Sequence, residues 1–364
     1  MADRIKVAFL GVRHPHMWHR VAVIEQMSDV IDAIGFYDED EYFAEGFHSR
    51  TGLVKWDRLD VLLHQKPDIC IIESRDTQTP DISRRAAPWT RAMILEKCSA
   101  PDYKALKTLA GDLARYPVHI EHGYELHYLD VMDKCREIIN SNALGQITLA
   151  RFHGGSPSGC SDEIWVSDPE LMGGMFYVEG SHMIEIMLDT LGIPEKVCGV
   201  AKKLTKGDNV ISKLKTSDLF AGAGNPPANV RVGSLAFEDV AVAIAQYADK
   251  IACIDCTAWE PTNWCNGWRM EYYGTNGTLI ACPSPSWIDL FIQNSRAGYE
   301  AGSLHMEFPV FTKTYNETQM RNGYRKQLNT IIGYLKKNDP PHQEGMDTIV
   351  QVAKVAAQVY GCAD

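Results

Sequence analysis

The sequence lacks a long apolar run, an excess of positive charge and a cysteine framework, and each lack excludes a class of protein. No apolar stretch approaches the roughly 20 residues that a membrane-spanning helix needs. Lys and Arg total 36 against 47 Asp and Glu, a formal net charge of -11. Neither nucleic acid nor an anionic membrane is therefore expected as the main partner, because both select clustered cations. The N-terminal "MADRIKVAFLG" passes straight into a strand-like run, without the longer apolar region or small-residue cleavage site of a secretory leader, so a cytoplasmic protein is expected. Ten cysteines are spread through 364 residues and read as small core hydrophobes rather than disulfide partners. The one C-x-x-C, Cys253 and Cys256, lies in an alternating segment where residues three apart point to opposite faces. No second pair follows it at zinc-ribbon spacing.

What is present is length and rhythm. The chain is long enough for two domains with buried cores, and its 45% hydrophobic and 23% charged residues are ordinary for a globular protein. Over the first 130 residues, strand-like runs ("IKVAFLG", "IDAIGFYD", "PDICIIES", "RAMILEK", "PVHIEHGYE") alternate with helical patterns near 18–27, in "LDVLLHQ" and in "YKALKTLAGDLARY". That alternation implies right-handed βαβ crossovers and a parallel sheet covered on both faces. After a helix near "VMDKCREIINSN" the rhythm changes to long runs joined by turn residues, which suggests a largely antiparallel sheet with one face left for a substrate or a subunit partner. The expected fold is α/β plus α+β: a parallel-sheet domain over 1–128, then an open-faced sheet domain over 129–364. Its sheet is expected at roughly 146–310 and its C-terminal helices at 315–362. "AGAGNPPANV" reads as a Gly/Pro-rich loop, and no internal repeat is present.

Glycine is also scarce where the first strand turns. In "RIKVAFLGVRHPHMWHR" a G-x-G-x-x-G dinucleotide turn would follow the strand, yet only Gly11 stands, with Arg13 and His16 at the other two positions. Strand, turn and helix are still in place, so backbone N–H groups at the helix start are expected to hold a phosphate, aided by Arg13. Asp38, 22 residues after His16, ends the second strand where a carboxylate binds ribose hydroxyls and opposes a 2′-phosphate. The competing reading makes His14, His16 and His19 metal ligands. No carboxylate or thiol sits near them in sequence, so no metal is expected; the plainest reading has them packing in a loop.

Two further stretches carry chemistry. "ILEKCSAP" sends Glu96 and Lys97 off a buried strand, either as a structural ion pair or, at the carboxyl edge of a parallel sheet, as a lysine able to bond a substrate hydroxyl. In "GGMFYVEGSHMIEIMLDTLG", Glu179, His182 and Glu185 fall at i, i+3 and i+6 along an expected helix, so the first two lie near one face and the acid can orient the imidazole. Tight packing is the alternative reason for the glycines.

Taken in this order and spacing, these pieces resemble the glucose–fructose oxidoreductase/inositol dehydrogenase (Gfo/Idh/MocA) family over nearly the whole chain. Glu96-Lys97-Cys98 resembles the family's E-K-P, with cysteine for proline. Gly173-Gly174-Met175…Glu179-Gly180-Ser181-His182 resembles its G-G-G…D-x-G-x-H, with glutamate for aspartate, and Tyr272–Leu279 resembles its late G-x-x-G-T-L turn. Its T-P-N-x-x-H is matched by Ser74–Thr79 without the proline and histidine, and His127 stands where arginine is common. The resemblance implies a Rossmann domain followed by an open-faced sheet domain. It implies Lys97 and His182 as the catalytic pair, with Glu179 binding substrate or orienting His182. Cofactor contacts are expected from Gly11, Arg13, His14, Asp38, Ser74, Glu96 and Lys97. Substrate contacts are expected from Tyr124, His127, Arg151, Trp165 and Glu179. Trp259, Trp264 and Trp268 are either flat surfaces for a sugar ring or core packing.

The activity so implied is NAD-dependent oxidoreduction (NADP less favoured) at a CH–OH group, with hydride moving between nicotinamide and a secondary hydroxyl of a sugar, polyol or glycoside. Two alternatives stand beside it: an NAD-retaining glycosidase or sugar isomerase working by transient oxidation, and a non-catalytic sugar- or nucleotide-sensing regulator. A homodimer or homotetramer is implied as well.

Overall fold

The computed structural model describes residues 4–14, 16–155, 174–205, 209–210, 232–233, 237–259, 268–283, 285–308 and 317–361. Its first part alternates β1 (Ile5–Leu10), α1 (His16–Gln26), β2 (Ile31–Tyr37), α2 (Glu41–Thr51), α3 (Leu59–Leu63), β3 (Ile69–Ile72), α4 (Thr79–Ala86), β4 (Ala92–Leu95), α5 (Tyr103–Leu113) and β5 (His119–His122). β3 and β4 are buried at every residue, as strands covered on both faces must be. The helix α2 is not announced by apolar periodicity. Asp40 starts it by accepting from the Tyr42 N–H at 3.0 Å, and Gly52 ends it in the left-handed conformation.

All five strands are parallel, in the order β2-β1-β3-β4-β5. The chain's direction of winding reverses between β1 and β3, and in open parallel sheets a ligand crevice lies outside the carboxyl ends of the strands at such a switch point. Gly11, Glu73 and Glu96 each directly follow one of these three central strands.

A short 3-10 turn (Glu125–Tyr128) and α6 (Asp130–Asn140) lead to β6 (Ile147–Gly155), α7 (Met175–Val178), α8 (Gly180–Leu191) and β7 (Lys196–Lys202). There follow β8 (Asn209–Val210), β9 (Val232–Gly233), β10 (Val240–Gln246), β11 (Ile251–Thr257), β12 (Arg269–Gly274), β13 (Gly277–Pro283), β14 (Ser286–Ile292) and β15 (Gly302–Glu307), then α9 (Glu317–Lys337) and α10 (Glu344–Tyr360). The second sheet runs β15-β14-β13-β12-β6-β11-β10-β7, antiparallel except where β6 pairs with β11. Its strands alternate: Ala241, Ala243 and Ala245 of β10 are buried, while Val242 and Ile244 are exposed. The buried face receives α8. The other face leaves Val200, Val242, Ile244, Ile251 and Phe291 exposed.

The last two helices reach back to the first sheet. α9 packs on α1 and the 3-10 turn, and α10 packs on α5, β5, α8 and β7. They join both halves, where a cut after residue 128 would assign them to the second alone.

Candidate active site

The turn after β1 is closed by its own hydrogen bonds. Gly11 has φ +82, and a Cβ there would lie 2.6 Å from the Ser74 backbone, so only glycine fits where β1 and β3 diverge. Val12 N–H donates to Asp38 Oδ2 at 2.9 Å. Arg13 and His14 N–H both donate to the Glu73 carbonyl at 3.3 Å, and His16 N–H donates to His14 Nδ1 at 3.4 Å. The groups expected to cradle a phosphate are thus bonded within the protein. Arg13 is turned the same way: its guanidinium pairs with Asp38 at 3.4 Å and Asp40 at 3.1 Å and lies over the Phe43 ring. Asp38, expected to face ribose hydroxyls, accepts from Val12, Asp40 and Arg13. Ser74 Oγ bonds Thr79 Oγ1 at 2.8 Å.

Behind the turn lies a buried network of acids, imidazoles and one guanidinium. Arg20, fully buried, bonds Glu73, Gln327 at 2.6 Å and Glu96 at 3.3 Å, and stacks over Tyr324. His14 Nδ1 lies 3.5 Å from Glu73 Oε2 and 4.0 Å from Glu96 Oε1. His16 Nδ1 lies 3.1 Å from the same Glu96 oxygen and 3.7 Å from Glu125 Oε2. The carboxylate absent near these histidines in sequence arrives from 80 residues away. Burial drives both imidazole pKa values well below the ordinary 6.5. Burial, reinforced by Glu96, raises Glu73 well above the carboxylate range and Glu125 to about 8.

Lys97 and His182 are both buried beside this network, near enough that the lysine charge acts on the imidazole. The peptide bond joining Lys97 to Cys98 is cis. Cys98 N–H donates to Asp76 Oδ1 at 3.1 Å and Cys98 Sγ donates to the Tyr177 carbonyl at 2.9 Å, which fixes the segment carrying Lys97. Burial acts to lower the Lys97 pKa. Nearby negative charge, that of Glu179 foremost, outweighs it and keeps the ammonium protonated. His182, on the first turn of α8, is fully buried. Burial, then the charge of Lys97, pushes its pKa well below 6.5, so at neutral pH it is an imidazole with a lone pair to offer. Its Nε2 lies 3.9 Å from Glu125 Oε1, and its ring contacts Tyr124 and Trp268 at centroid distances of 5.6 and 5.3 Å. Both His182 nitrogens and Glu179 Oε2 are buried without a hydrogen-bond partner among the described residues.

The remaining expected residues divide. Tyr124 is buried against His182. His127 is half-buried and bonds Glu185 at 2.8 Å, one turn along α8 from His182. Arg151 does not join the site: on β6 it lies on the face opposite the buried Ala150 and Phe152, 3.8 Å from Glu271. The register explains this, because neighbouring residues of a strand alternate in direction. Trp268 is buried and donates to the Gly155 carbonyl at 2.7 Å, packing against His182 from within the core. Trp259 is partly exposed and donates to Asp239 at 3.2 Å. Trp165, Trp264, Gly173 and the loop "AGAGNPPANV" lie outside the described residues. Sequence reasoning missed Arg20, Glu73 and Glu125. An acid at the carboxyl end of the apolar run "PDICIIES" was a usable signal for Glu73; nothing local marks the other two.

A family model for the GFO/IDH/MocA C-terminal domain matches residues 132–280. That stretch, under half of the chain, is similar to the Gfo/Idh/MocA family. The glucose-fructose oxidoreductase domain-containing protein 2 of Xenopus tropicalis is 30% identical over 168 residues. That match spans 44% of this chain and 43% of the relative, under half the length of either. Among solved structures, a levoglucosan dehydrogenase in complex with NADH superposes with a TM-score of 0.79 at 12% identity, covering 99% of this chain and 97% of that one. An oxidoreductase from Agrobacterium radiobacter, in complex with NAD+, L-tartaric acid and magnesium, superposes with a TM-score of 0.78 at 12% identity, covering 99% and 96%. At these identities the superpositions establish a shared fold.

Proposed function

We propose that this chain is an NAD-dependent oxidoreductase that moves a hydride between nicotinamide and a secondary hydroxyl of a sugar, polyol or glycoside. The observation that carries the reading is a buried, protonated Lys97 just after β4 whose charge acts on a buried, neutral His182, both His182 nitrogens being without a hydrogen-bond partner among the described residues. The solved relatives in complex with NAD+ or NADH support it, and a sugar-derived substrate follows the levoglucosan dehydrogenase by analogy.

The residues present fit a dinucleotide. Arg13 Nη1 is buried without a hydrogen-bond partner among the described residues, beside a carboxylate at the end of β2, and the reacting end offers Lys97 and His182. Asp38 opposes a 2′-phosphate, which favours NAD over NADP. Gly11 and Ser74 would line the cofactor, and seating it requires opening the bonds from Arg13 and His14 N–H to the Glu73 carbonyl. When bound, the nicotinamide supplies hydride acceptance. The chain's own part is proton handling. His182 accepts the hydroxyl proton through its free lone pair, while Lys97 holds the same oxygen and stabilises the charge developing on it. Glu179 keeps Lys97 charged, and Tyr124 and Trp268 exclude water around the imidazole. In the reverse direction His182 returns the proton. The open face of the second sheet, with Val242, Ile244 and Phe291 exposed, suits a homodimer or homotetramer.

The test is calorimetric titration of the purified protein with NAD and NADP, followed by a sugar and polyol screen for NADH. Binding of NAD in preference to NADP, with NADH formed by the wild type and not by Lys97→Met or His182→Ala, supports the reading. NAD that co-purifies and never yields net NADH moves it to the transient-oxidation enzyme, and absence of affinity for either dinucleotide defeats it.

A further inference from the structure

The histidines of the first turn leave a question that hydride transfer does not absorb: why two imidazoles and three carboxylates are gathered away from water. We infer that His14, His16 and Glu96 hold a divalent transition-metal cation, with Glu73 closing the set.

Spacing is the first argument. The three ligand atoms lie within 4.8 Å of one another. His16 Nδ1 to Glu96 Oε1 is 3.1 Å, His14 Nδ1 to Glu73 Oε2 is 3.5 Å, and His14 Nδ1 to Glu96 Oε1 is 4.0 Å. Two ligands each about 2.1 Å from a tetrahedral ion stand about 3.4 Å apart, so the observed edges bracket that polyhedron.

Charge is the second. Three carboxylates, Glu73, Glu96 and Glu125, face the two imidazoles, and the cation bonded directly among them is Arg20, shared by Glu73 and Glu96. Lys97 stands beside them but is answered first by Glu179. Burial raises Glu73 and Glu125 toward their neutral forms; ionised together with Glu96 they would carry two negative charges beyond that of Arg20, and a divalent cation would offset both. Third, Glu73 Oε2 and Glu125 Oε2, which face His14 and His16, are buried without a hydrogen-bond partner among the described residues. Mixed imidazole and carboxylate donors select zinc, manganese or iron over magnesium or calcium, which prefer all-oxygen sites. His14 and Glu96 then serve the ion rather than the dinucleotide. The inference does not rest on the dehydrogenase reading.

The experiment uses the full chain, stripped with chelator and titrated calorimetrically with Zn²⁺, Mn²⁺ and Mg²⁺, with bound metal counted by plasma mass spectrometry. Expected is about one Zn²⁺ or Mn²⁺ per chain and no competition by Mg²⁺. His14→Ala and His16→Ala should each weaken binding by at least about tenfold, since loss of mere outer-shell partners already costs that much. His127→Ala, which dismantles the separate His122–His127–Glu185 group, should leave binding unchanged. Should either alanine variant fail to fold, Co²⁺ added to the wild type must still give the visible bands of imidazole-ligated cobalt. No binding at a hundredfold excess of all three ions overturns the inference. So does binding that survives both turn variants, or binding that only His127→Ala removes. NAD titration of the same samples is read separately, so its failure leaves the metal result standing.

Discussion

Replacing Arg20 with methionine puts the buried network to a quantitative test. Its guanidinium is fully buried and bonds Glu73, Glu96 and Gln327 while stacking on Tyr324. Methionine refills most of the volume, so the cavity contribution is small and the cost is electrostatic. Breaking a buried pair by removing one partner costs about 3–5 kcal/mol, because the other partner stays charged and dry. Two carboxylates lose their cation here, which places the effect toward the upper end. Domains are stable by about 5–15 kcal/mol, so the variant folds with a thin margin. At a slope of about 3 kcal/mol/M, urea unfolding should shift its midpoint down by about 1.3 to 1.7 M. Adding Glu73→Gln should recover part of the loss, since it removes one stranded charge. Urea titration followed by tryptophan fluorescence, in the presence of chelator, reads both variants. A single-variant shift below about 0.3 M, or a double variant no more stable than the single, would refute the argument that Arg20 balances these acids.

Four further outcomes are expected. Lys97→Met and His182→Ala should each lower kcat by about 100-fold or more with NAD affinity retained by calorimetry; equal loss of binding would reassign them to the cofactor pocket. Gly11→Ala should cost about 1–3 kcal/mol from its backbone conformation alone, with the Ser74 collision adding to it, and a melting temperature equal to wild type would contradict the turn geometry. Burial raises Asp76 from 3.8 to about 7, so its contribution to stability is present below its unfolded pKa and is lost as pH rises through 7. Burial lowers His122 from 6.5 to about 4, so its contribution is present above 6.5 and lost as pH falls toward 4; melting temperature should therefore drop from pH 6.5 to 8, and drop less in Asp76→Asn. Val242→Glu on the open sheet face should reduce the assembled mass measured by light scattering, and an unchanged mass would move the subunit contact elsewhere.

Much of the framework was legible because it depends on local pattern. The apolar runs at Ile5, Ile69 and Ala92 became central parallel strands, and the alternating run around Ala241 became a strand with one covered face. The motifs carrying Lys97 and His182 were legible as well, since each is short and local, and both side chains are buried. Arg151 was misplaced because the sequence names a strand without fixing which of its alternate residues faces α8. The helix Glu41–Thr51 escaped notice because only Ala44 and Phe47 of it are fully buried, too few to show a period.

The bonding of the turn was not legible, for a reason rooted in topology. A dinucleotide turn keeps its glycines so that a pyrophosphate can approach the backbone. Here the carbonyl of Glu73 already occupies the Arg13 and His14 N–H groups, so small residues at positions 13 and 16 would gain nothing for anion binding in this conformation. Side chains take over instead: Arg13 leans toward the end of β2, and His14 and His16 turn inward to meet acids from β3, β4 and the 3-10 turn. Those acids stand 57 to 111 positions further along the chain than the two histidines, beyond the reach of any motif. A metal could therefore be argued against from sequence alone. The β1–β3–β4 neighbourhood motivates the proposed cation site, because the parallel sheet brings Glu73 and Glu96 from the ends of β3 and β4 to His14 and His16.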